Sequence, residues 1–477
     1  MPKKKIDKIK ISFVDENAST DVTGSLVYIE TPKHKIIFDC GLSQSNDKYD
    51  DYLENIKKPK EFKFKDIDLV FITHTHGDHC LKLPMLYANG CNAKTIMTKN
   101  SMRMFNVMAM DCAYISERDI TVINAQKNKN YKPLYTEDDV KRTLKFIEEY
   151  DYNQKIKIDD EISFELIQSG HLLGSCQIIL YITINGITKT ICYSGDLGNN
   201  ELDNKFVGHF QPIKKCNLFI GESTYGDRED LKIHEKQRQD DLQKLKTVID
   251  NQVKILNGKV LIPTFAQSRS QQIALMIYEL YKDSEWQPKV YIDSPLSIKI
   301  FEQYMDILSE DDKKTFDELL KWDNLIFIKE PQDSINLISS NEPYVCLSTA
   351  GFCQVGRVRK HLKSLLPNPN ATILFVGYSS PNSLASLIKD VKNKTIKIDD
   401  KEYDCRCATY SLKSMSGHAP FSQLLEYYSS INCDKIILHH GSKEAKENLA
   451  KRIKEKLSKC CKTTKVICAN NSLKFNL

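Results

Sequence analysis

The stretch FITHTHGDHC, residues 71–80, sets His74, His76, Asp78 and His79 within six positions, directly after an apolar run. Zinc takes neutral imidazole nitrogens and carboxylate oxygens, so side chains of these types at this density form a candidate metal site. His74 and His76 alternate along extended backbone and face one side. Asp78 and His79 then turn away toward a second ion. Two ions about 3.5–4 Å apart can share a bridging hydroxide and clamp a phosphoryl group during in-line displacement. Water on zinc ionises near pH ~7, which supplies a nucleophile under neutral conditions.

Other residues that bind metal or move protons stand at the ends of apolar runs. Asp39 ends KIIFD, His171 follows FELIQSG, Asp196 follows TICYSG and Glu222 follows NLFIG. His418 lies in KSMSGHAP, and His439 and His440 end DKIIL. Strand ends are where loops gather and active sites form. Chemistry alone does not choose between His439 and His440.

The elements that must position these residues are legible from pattern. KIKISFV, SLVYIET, HKIIFDCG and IDLVFITH read as short strands. A mostly helical stretch spans about Leu81 to Tyr150, with TEDDVKRTLKFIEEY as its clearest helix, capped by Thr136. Strands return in ISFELIQSG, QIILYITING and TKTICYSGD. From about Tyr225 the texture changes. Amphipathic helices over 230–255, 268–283 and 297–321 alternate with the short strands KVLIPTF, KVYIDSP, YVCLSTA and ATILFVGY. Such alternation predicts a parallel, Rossmann-like sheet inserted into a first domain whose last pieces follow Leu412. The fold class is α/β.

Composition sets bounds. The chain has 477 residues, 41% hydrophobic and 27% charged, the balance of an ordinary soluble globular protein. A net charge of +5 permits a basic groove but does not demand a nucleic acid. No apolar run is long enough for a membrane span, and the basic start MPKKKIDKIK lacks the apolar core of a signal peptide. Fifteen scattered cysteines then read as reduced thiols of a cytoplasmic protein. Cys405 with Cys407, and Cys460 with Cys461, lack a matching second pair and read as buried or half-buried thiols.

H-x-H-x-D-H, the later histidine of SGHLLGS and the aspartate of YSGDLG resemble the metallo-β-lactamase fold. That fold implies an αββα sandwich with a two-zinc site at its edge. GESTYGDR, PTFAQSRSQQIALMIYEL, YIDSPLS, STAGFCQVGRVRKHL, FVGYSSPNSLASLI, SMSGHAP and ILHHGSKEA resemble the β-CASP nucleases, in order and over nearly the whole chain. The resemblance implies a metallo-β-lactamase sandwich built from 1–220 and 411–477, with an inserted Rossmann-like β-CASP domain over 221–410.

Carried residue by residue, the resemblance implies that His74, His76 and His171 hold one Zn2+. Asp78, His79 and His440 hold the other, and Asp196 bridges both, with Mn2+ as the alternative metal. Asp39 orients the histidine motif. Glu222 is hydrogen-bonded to His418, which contacts the scissile phosphate and helps the leaving oxygen. The family has its histidine directly before glycine, which selects His440, and a histidine there marks RNA-processing members. The implied activity is hydrolysis of single-stranded RNA, mainly endonucleolytic, with 5′-exonuclease activity and a homodimer left open. STAGFCQVGRV replaces the Gly-Glu-Pro phosphate loop of the RNase J type.

Two positions depart from the family. Leu81 stands where glycine is usual, which alters loop packing, and Pro420 follows His418 as a variation at a helix start. Ser348, Thr349, Gly351, Ser379 and Ser380 sit at strand ends, where backbone N–H groups could bind RNA phosphates; Arg357 and Arg359 could add charge. The alternatives are a DNA nuclease or a small-molecule (cyclic nucleotide or ester) metallo-hydrolase on the same fold; a basic channel to the metals argues for a polymer, a closed pocket for a small substrate. A scaffold without activity is disfavoured because no ligand is missing.

Overall fold

The computed structural model describes residues 8–14, 22–45, 47–202, 204–231, 233–377, 379, 383–390, 395–470 and 473–477. They divide into two compact units, one of 1–200, 207–232 and 417–477, the other of 201–206 and 233–416.

The first unit contains two seven-stranded sheets. One takes β1 (Lys10–Phe13), β2 (Val27–Glu30), β3 (Lys35–Phe38), β4 (Leu69–Phe71), β5 (Lys94–Thr98) and β6 (Ile147–Tyr150), with β22 (Lys474–Asn476) beside β1. β3 through β6 are parallel, whereas β1, β2 and β22 pair antiparallel. The second takes β7 (Ile156–Lys157), β8 (Ile162–Gln168), β9 (Cys176–Ile184), β10 (Ile187–Tyr193), β11 (Leu218–Gly221), β20 (Lys435–Leu438) and β21 (Lys465–Cys468). Its β10, β11, β20 and β21 run parallel.

Period-two patterning decides what each face buries. In β9, Ile178, Leu180 and Ile182 point into the space between the sheets. There they meet Val27, Ile36, Phe38, Leu69 and Phe71 of the first sheet. Each such side chain contributes about 1.5–3 kcal/mol by leaving water. The outer face of the first sheet is covered by helices through Leu86, Phe105, Ala109 and Val140. The outer face of the second is covered by the helices Phe421–Ser430 and Lys443–Lys459, through Leu424, Tyr428, Leu449 and Ile453. The result is an αββα sandwich.

The second unit has a six-stranded, wholly parallel sheet in the order β14-β13-β15-β12-β16-β19. These are β12 (Lys259–Pro263), β13 (Val290–Asp293), β14 (Leu325–Phe327), β15 (Tyr344–Ser348), β16 (Ala371–Val376) and β19 (Ala408–Leu412). β17 (Thr395–Ile398) and β18 (Lys401–Asp404) form a separate hairpin. The inserted Rossmann-like sheet is therefore present, and Glu222 lies in the 207–232 segment of the first unit.

Three expectations change in detail. Thr136 does cap a helix through a reciprocal capping box with Asp139, but that helix ends at Leu144. Ile147–Tyr150 is strand β6, because the open edge of β5 pairs with it in parallel register and overrides its helical pattern. The helix expected over 297–321 is two, Pro295–Ile307 and Glu310–Leu320, since the Ser309 hydroxyl accepts from Asp312 N and starts a new helix. Cys460 and Cys461 are exposed, at the end of the helix Lys443–Lys459, not buried. No disulfide joins any of the fifteen cysteines, and no helix among the described residues is long and apolar enough to cross a membrane.

Candidate metal centre

Strand ends in the first unit converge on one place. After β4 the chain stays extended to His76 (φ −66°, ψ 151°), which caps a one-turn helix Gly77–Cys80. Extension puts His74 and His76 on one side, and the turn brings Asp78 and His79 round to another. Asp39, just past β3, holds a left-handed φ of 56°, and its N–H donates to Phe71 O at 2.8 Å. Gly41 lets that loop touch the motif, because a Cβ there would lie 1.7 Å from Asp78 O. His171 follows β8 in a turn whose N–H groups at His171 and Leu172 donate to Ser175 Oγ. Asp196, Glu222 and His440 follow β10, β11 and β20.

The donor atoms fall into two sets with a shared carboxylate. In the first, His76 Nδ1 lies 3.2 Å from His74 Nε2 and 3.1 Å from His171 Nε2. Asp196 Oδ2 is 3.5 Å from both His74 Nε2 and His171 Nε2. In the second, His79 Nε2 is 3.2 Å from His440 Nε2, and Asp78 Oδ2 is 3.4 Å from His440 Nε2. Asp196 Oδ1 sits 3.4 Å from His79 Nε2 and 3.2 Å from His440 Nδ1. Among the described residues, His74, His76, His171 and Asp196 form one group with ligand atoms within 4.8 Å of one another, Asp78, His79 and His440 a second, and Asp196, Glu222 and His418 a third.

Hydrogen bonds behind the rings decide which nitrogens carry lone pairs. His171 Nδ1 donates to the Gly417 carbonyl at 3.0 Å, and His79 Nδ1 donates to Asp39 Oδ2 at 2.7 Å. Their Nε2 atoms then face inward unprotonated when the rings are neutral, toward other ring nitrogens. Asp196 Oδ1 is buried and accepts no well-aligned hydrogen bond. Convergent lone pairs and an orphaned carboxylate oxygen repel one another unless a cation lies between them, so the donor set fits divalent metal.

Electrostatics agree. Burial drives His74 and His171 well below the ordinary histidine range, with neighbouring imidazoles adding to the shift. Burial likewise brings His76 down to about 4. These rings are neutral, as metal ligands must be. His79 goes the other way: burial opposes its charge, but Asp196, Asp39 and Asp78 overcome it and raise it well above that range. Asp196 is held well below the usual carboxylate range, because His440, His79 and His74 outweigh its burial. Three carboxylates, Asp39, Asp78 and Asp196, thus surround His79 and favour positive charge there, as a divalent ion would supply.

Beside the two sets lies a third grouping. Glu222 Oε1 is 3.4 Å from His418 Nδ1 and accepts from Leu197 N at 2.9 Å, while Oε2 accepts from Thr224 N at 3.0 Å. Burial disfavours charge on His418, but Glu222, Asp196 and Asp78 raise its pKa. His76, Asp78 and His418 are only half-buried, with Asp78 and His418 at 21% and 16% exposure. The other ligand candidates are buried. Solvent therefore reaches the cluster along that rim.

Residues expected elsewhere fare differently. His439 is buried against Phe13 and Tyr193, ring to ring, and neither of its ring nitrogens has a hydrogen-bond partner. Leu81 packs into the helix-covered core, and Pro420 is the N-cap of Phe421–Ser430. Ser348, Thr349, Gly351 and Ser379 belong to the second unit; Ser380 lies outside the described residues. Ser348 Oγ donates to Asp293 O, Thr349 Oγ1 meets Ser294 Oγ, and Ser379 Oγ accepts from Lys389. Arg357 is not free to add charge for RNA: its guanidinium donates to Asp293 Oδ1, Ile328 O and Lys329 O. Arg359 is likewise paired, with Asp399 and Gln354 O. Sequence reasoning passed over Thr73, Thr224 and Tyr428. Thr224 Oγ1 lies 3.2 Å from His440 Nδ1, and the Tyr428 hydroxyl donates to Glu222 O at 2.8 Å. Only adjacency to the motifs marks the two threonines, and nothing in the sequence marks Tyr428.

Comparison with known proteins gives a consistent picture. Residues 19–200 match the metallo-β-lactamase superfamily, 270–388 the β-CASP domain, and 402–466 the Zn-dependent metallo-hydrolase RNA specificity domain. A ribonuclease of Thermus thermophilus is 27% identical over 440 residues, covering 91% of this chain and 93% of the relative. The transcription termination factor FttA of Methanocaldococcus jannaschii is 27% identical over 452 residues, covering 91% and 67%. The endoribonuclease ysh1 of Schizosaccharomyces pombe is 26% identical over 440 residues, covering 90% and 54%. A crystal structure of a protein of unknown function from Enterococcus faecalis shares the fold, with a TM-score of 0.54 at 13% identity, covering 98% of this chain and all of that one.

Proposed function

The chain belongs to the β-CASP group of the metallo-β-lactamase superfamily, and on that premise we propose that it is a zinc-dependent ribonuclease. It hydrolyses phosphodiester bonds of single-stranded RNA, mainly at internal positions. The observation that carries this reading is the Glu222–His418 pair beside two donor sets joined through Asp196. A metal site alone serves many hydrolases. A carboxylate-held imidazole at its half-exposed rim is what a phosphodiester with a poor leaving oxygen requires.

His74, His76, His171 and Asp196 would hold one ion, and Asp78, His79, His440 and Asp196 the other. When bound, such a pair supplies Lewis-acid charge for an attacking water and for the phosphoryl oxygens. The chain's own residues do the rest. Asp39 fixes His79 through Nδ1 and keeps Nε2 turned inward. Gly417 O does the same for His171. Glu222 favours the protonated form of His418 against the effect of burial, and places that ring to donate a proton to the departing ribose oxygen. The substrate enters over His76, Asp78 and His418, where the cluster meets solvent. Fifteen cysteines outside any disulfide suit work in a reducing compartment such as the cytoplasm.

The test is incubation of the zinc-loaded chain with end-labelled RNA and DNA of one sequence. Internal RNA fragments support the reading. RNA left whole, with or without DNA cleavage, overturns it.

A further inference from the structure

Thr73 is fully buried directly beneath both donor sets. Its hydroxyl lies 2.8 Å from Asp39 Oδ2, 3.0 Å from Asp39 Oδ1 and 3.1 Å from His74 Nδ1. Its N–H donates to Asp39 Oδ1 at 2.8 Å. A hydroxyl has one proton. Asp39 accepts only, so Thr73 gives its proton to Asp39 and accepts one from His74 Nδ1–H. That order fixes the His74 tautomer with its lone pair on Nε2, the atom that points at His76 Nδ1 and Asp196 Oδ2. The same Asp39 Oδ2 takes the His79 Nδ1–H directly, at 2.7 Å. The hydroxyl has little freedom to leave this position. Gly195, at φ 52°, packs so closely that a Cβ there would lie 2.7 Å from Thr73 Cβ, and Thr73 O accepts from Cys176 N.

We propose that Thr73 is a positioning residue that relays the Asp39 carboxylate to His74. One buried carboxylate would thereby orient a ligand of each metal: His79 by direct contact, His74 through the hydroxyl. The proposal rests on the two-metal reading above. Because His74 belongs to the first set and His79 to the second, the relay makes a sharp distinction. Loss of the hydroxyl weakens only the first position, whereas loss of the Asp39 charge weakens both. Partners of this kind are worth about ten- to a hundredfold in metal affinity.

The experiment strips the full chain with a chelator and titrates it with Co2+, read by d–d absorption, and with Zn2+ against a chromophoric chelator. The variants are Thr73→Val, Thr73→Ser, Asp39→Asn and His171→Ala. The last identifies the binding event that belongs to the first set. Thr73→Val should weaken that event about ten- to a hundredfold and leave the other as in wild type. Thr73→Ser should restore it, and Asp39→Asn should weaken both. Thermal melts of the stripped proteins check folding, with Thr73→Ala replacing Thr73→Val if the valine is not accommodated. Wild-type affinity in the hydroxyl-less variants, equal weakening of both events, or no rescue by serine overturns the proposal, as does a wild type that binds no metal. Failure of the ribonuclease reading would appear elsewhere: RNA left uncut by a wild type whose two binding events still split as described.

Discussion

His361 Nε2 donates to Asp293 Oδ2 at 2.7 Å, and both side chains are fully buried in the second unit. Arg357 donates to the other carboxylate oxygen at 2.7 Å, and Ser334 Oγ adds a third donor at 2.5 Å. Burial alone would raise Asp293, but these donors overcome it and hold its pKa below the usual carboxylate value. A depressed folded pKa means the stabilisation is fully present above the unfolded value, about 4, and is lost as pH falls through the folded one. Asp293→Asn should cost about 3 kcal/mol near neutrality by leaving Arg357 without its charge partner. Denaturant melts from pH 7 downward should show the gap between wild type and variant closing below about pH 4. A gap that stays constant to acid would show that the charge plays no part.

His76→Ala and His418→Ala should separate binding from chemistry. The first removes a donor and should lower bound metal from about two ions per chain. The second should retain metal and cut RNA about 10²–10⁴-fold more slowly, the range for a lost general acid. Elemental analysis beside single-turnover cleavage reads both. Metal loss in His418→Ala would assign that ring to a ligand role instead.

The adjacent histidines make an internal control. His440 Nε2 faces His79 and Asp78, whereas His439 is wedged among aromatic rings. His440→Ala should therefore lose metal, and His439→Phe should keep the wild-type stoichiometry. The reverse pattern would exchange their assignments.

Gly41→Ala tests the approach of two loops. The added methyl would meet the Asp78 carbonyl at 1.7 Å, far inside contact distance. The Gly77–Cys80 turn must then shift, so metal content should fall although no ligand has changed. Ordinary metal content together with ordinary activity would mean that the loops part at little cost.

Much of this was legible in the sequence because the chemistry is concentrated. Residues 74–79 announce themselves by density, and the carboxylates and histidines at strand ends by position. Alternation of strands and helices after Tyr225 predicted the parallel sheet. What escaped depends on contacts between segments far apart in the chain. Ile147–Tyr150 is a strand only because β5 offers an edge. Arg357 reads as a free cation until Asp293, 64 residues away, is seen to take it. Thr73 has no mark of its own in the sequence, and its place at the site rests on Asp39, 34 residues earlier.

The 196-residue separation of Glu222 from His418 bears on biosynthesis. A ribosome delivers β11 and Glu222 first, then residues 233–416 of the second unit, and only later His418, β20 and His440. At about 5–20 residues per second the interval is roughly 10–40 s. Throughout it β11 has β10 on one side but lacks β20 on the other, leaving an open strand edge of the kind that recruits other chains. A nascent chain would thus be incapable of cutting the message it is read from, and a product truncated within the insert would be inert and sticky, a natural client for chaperones.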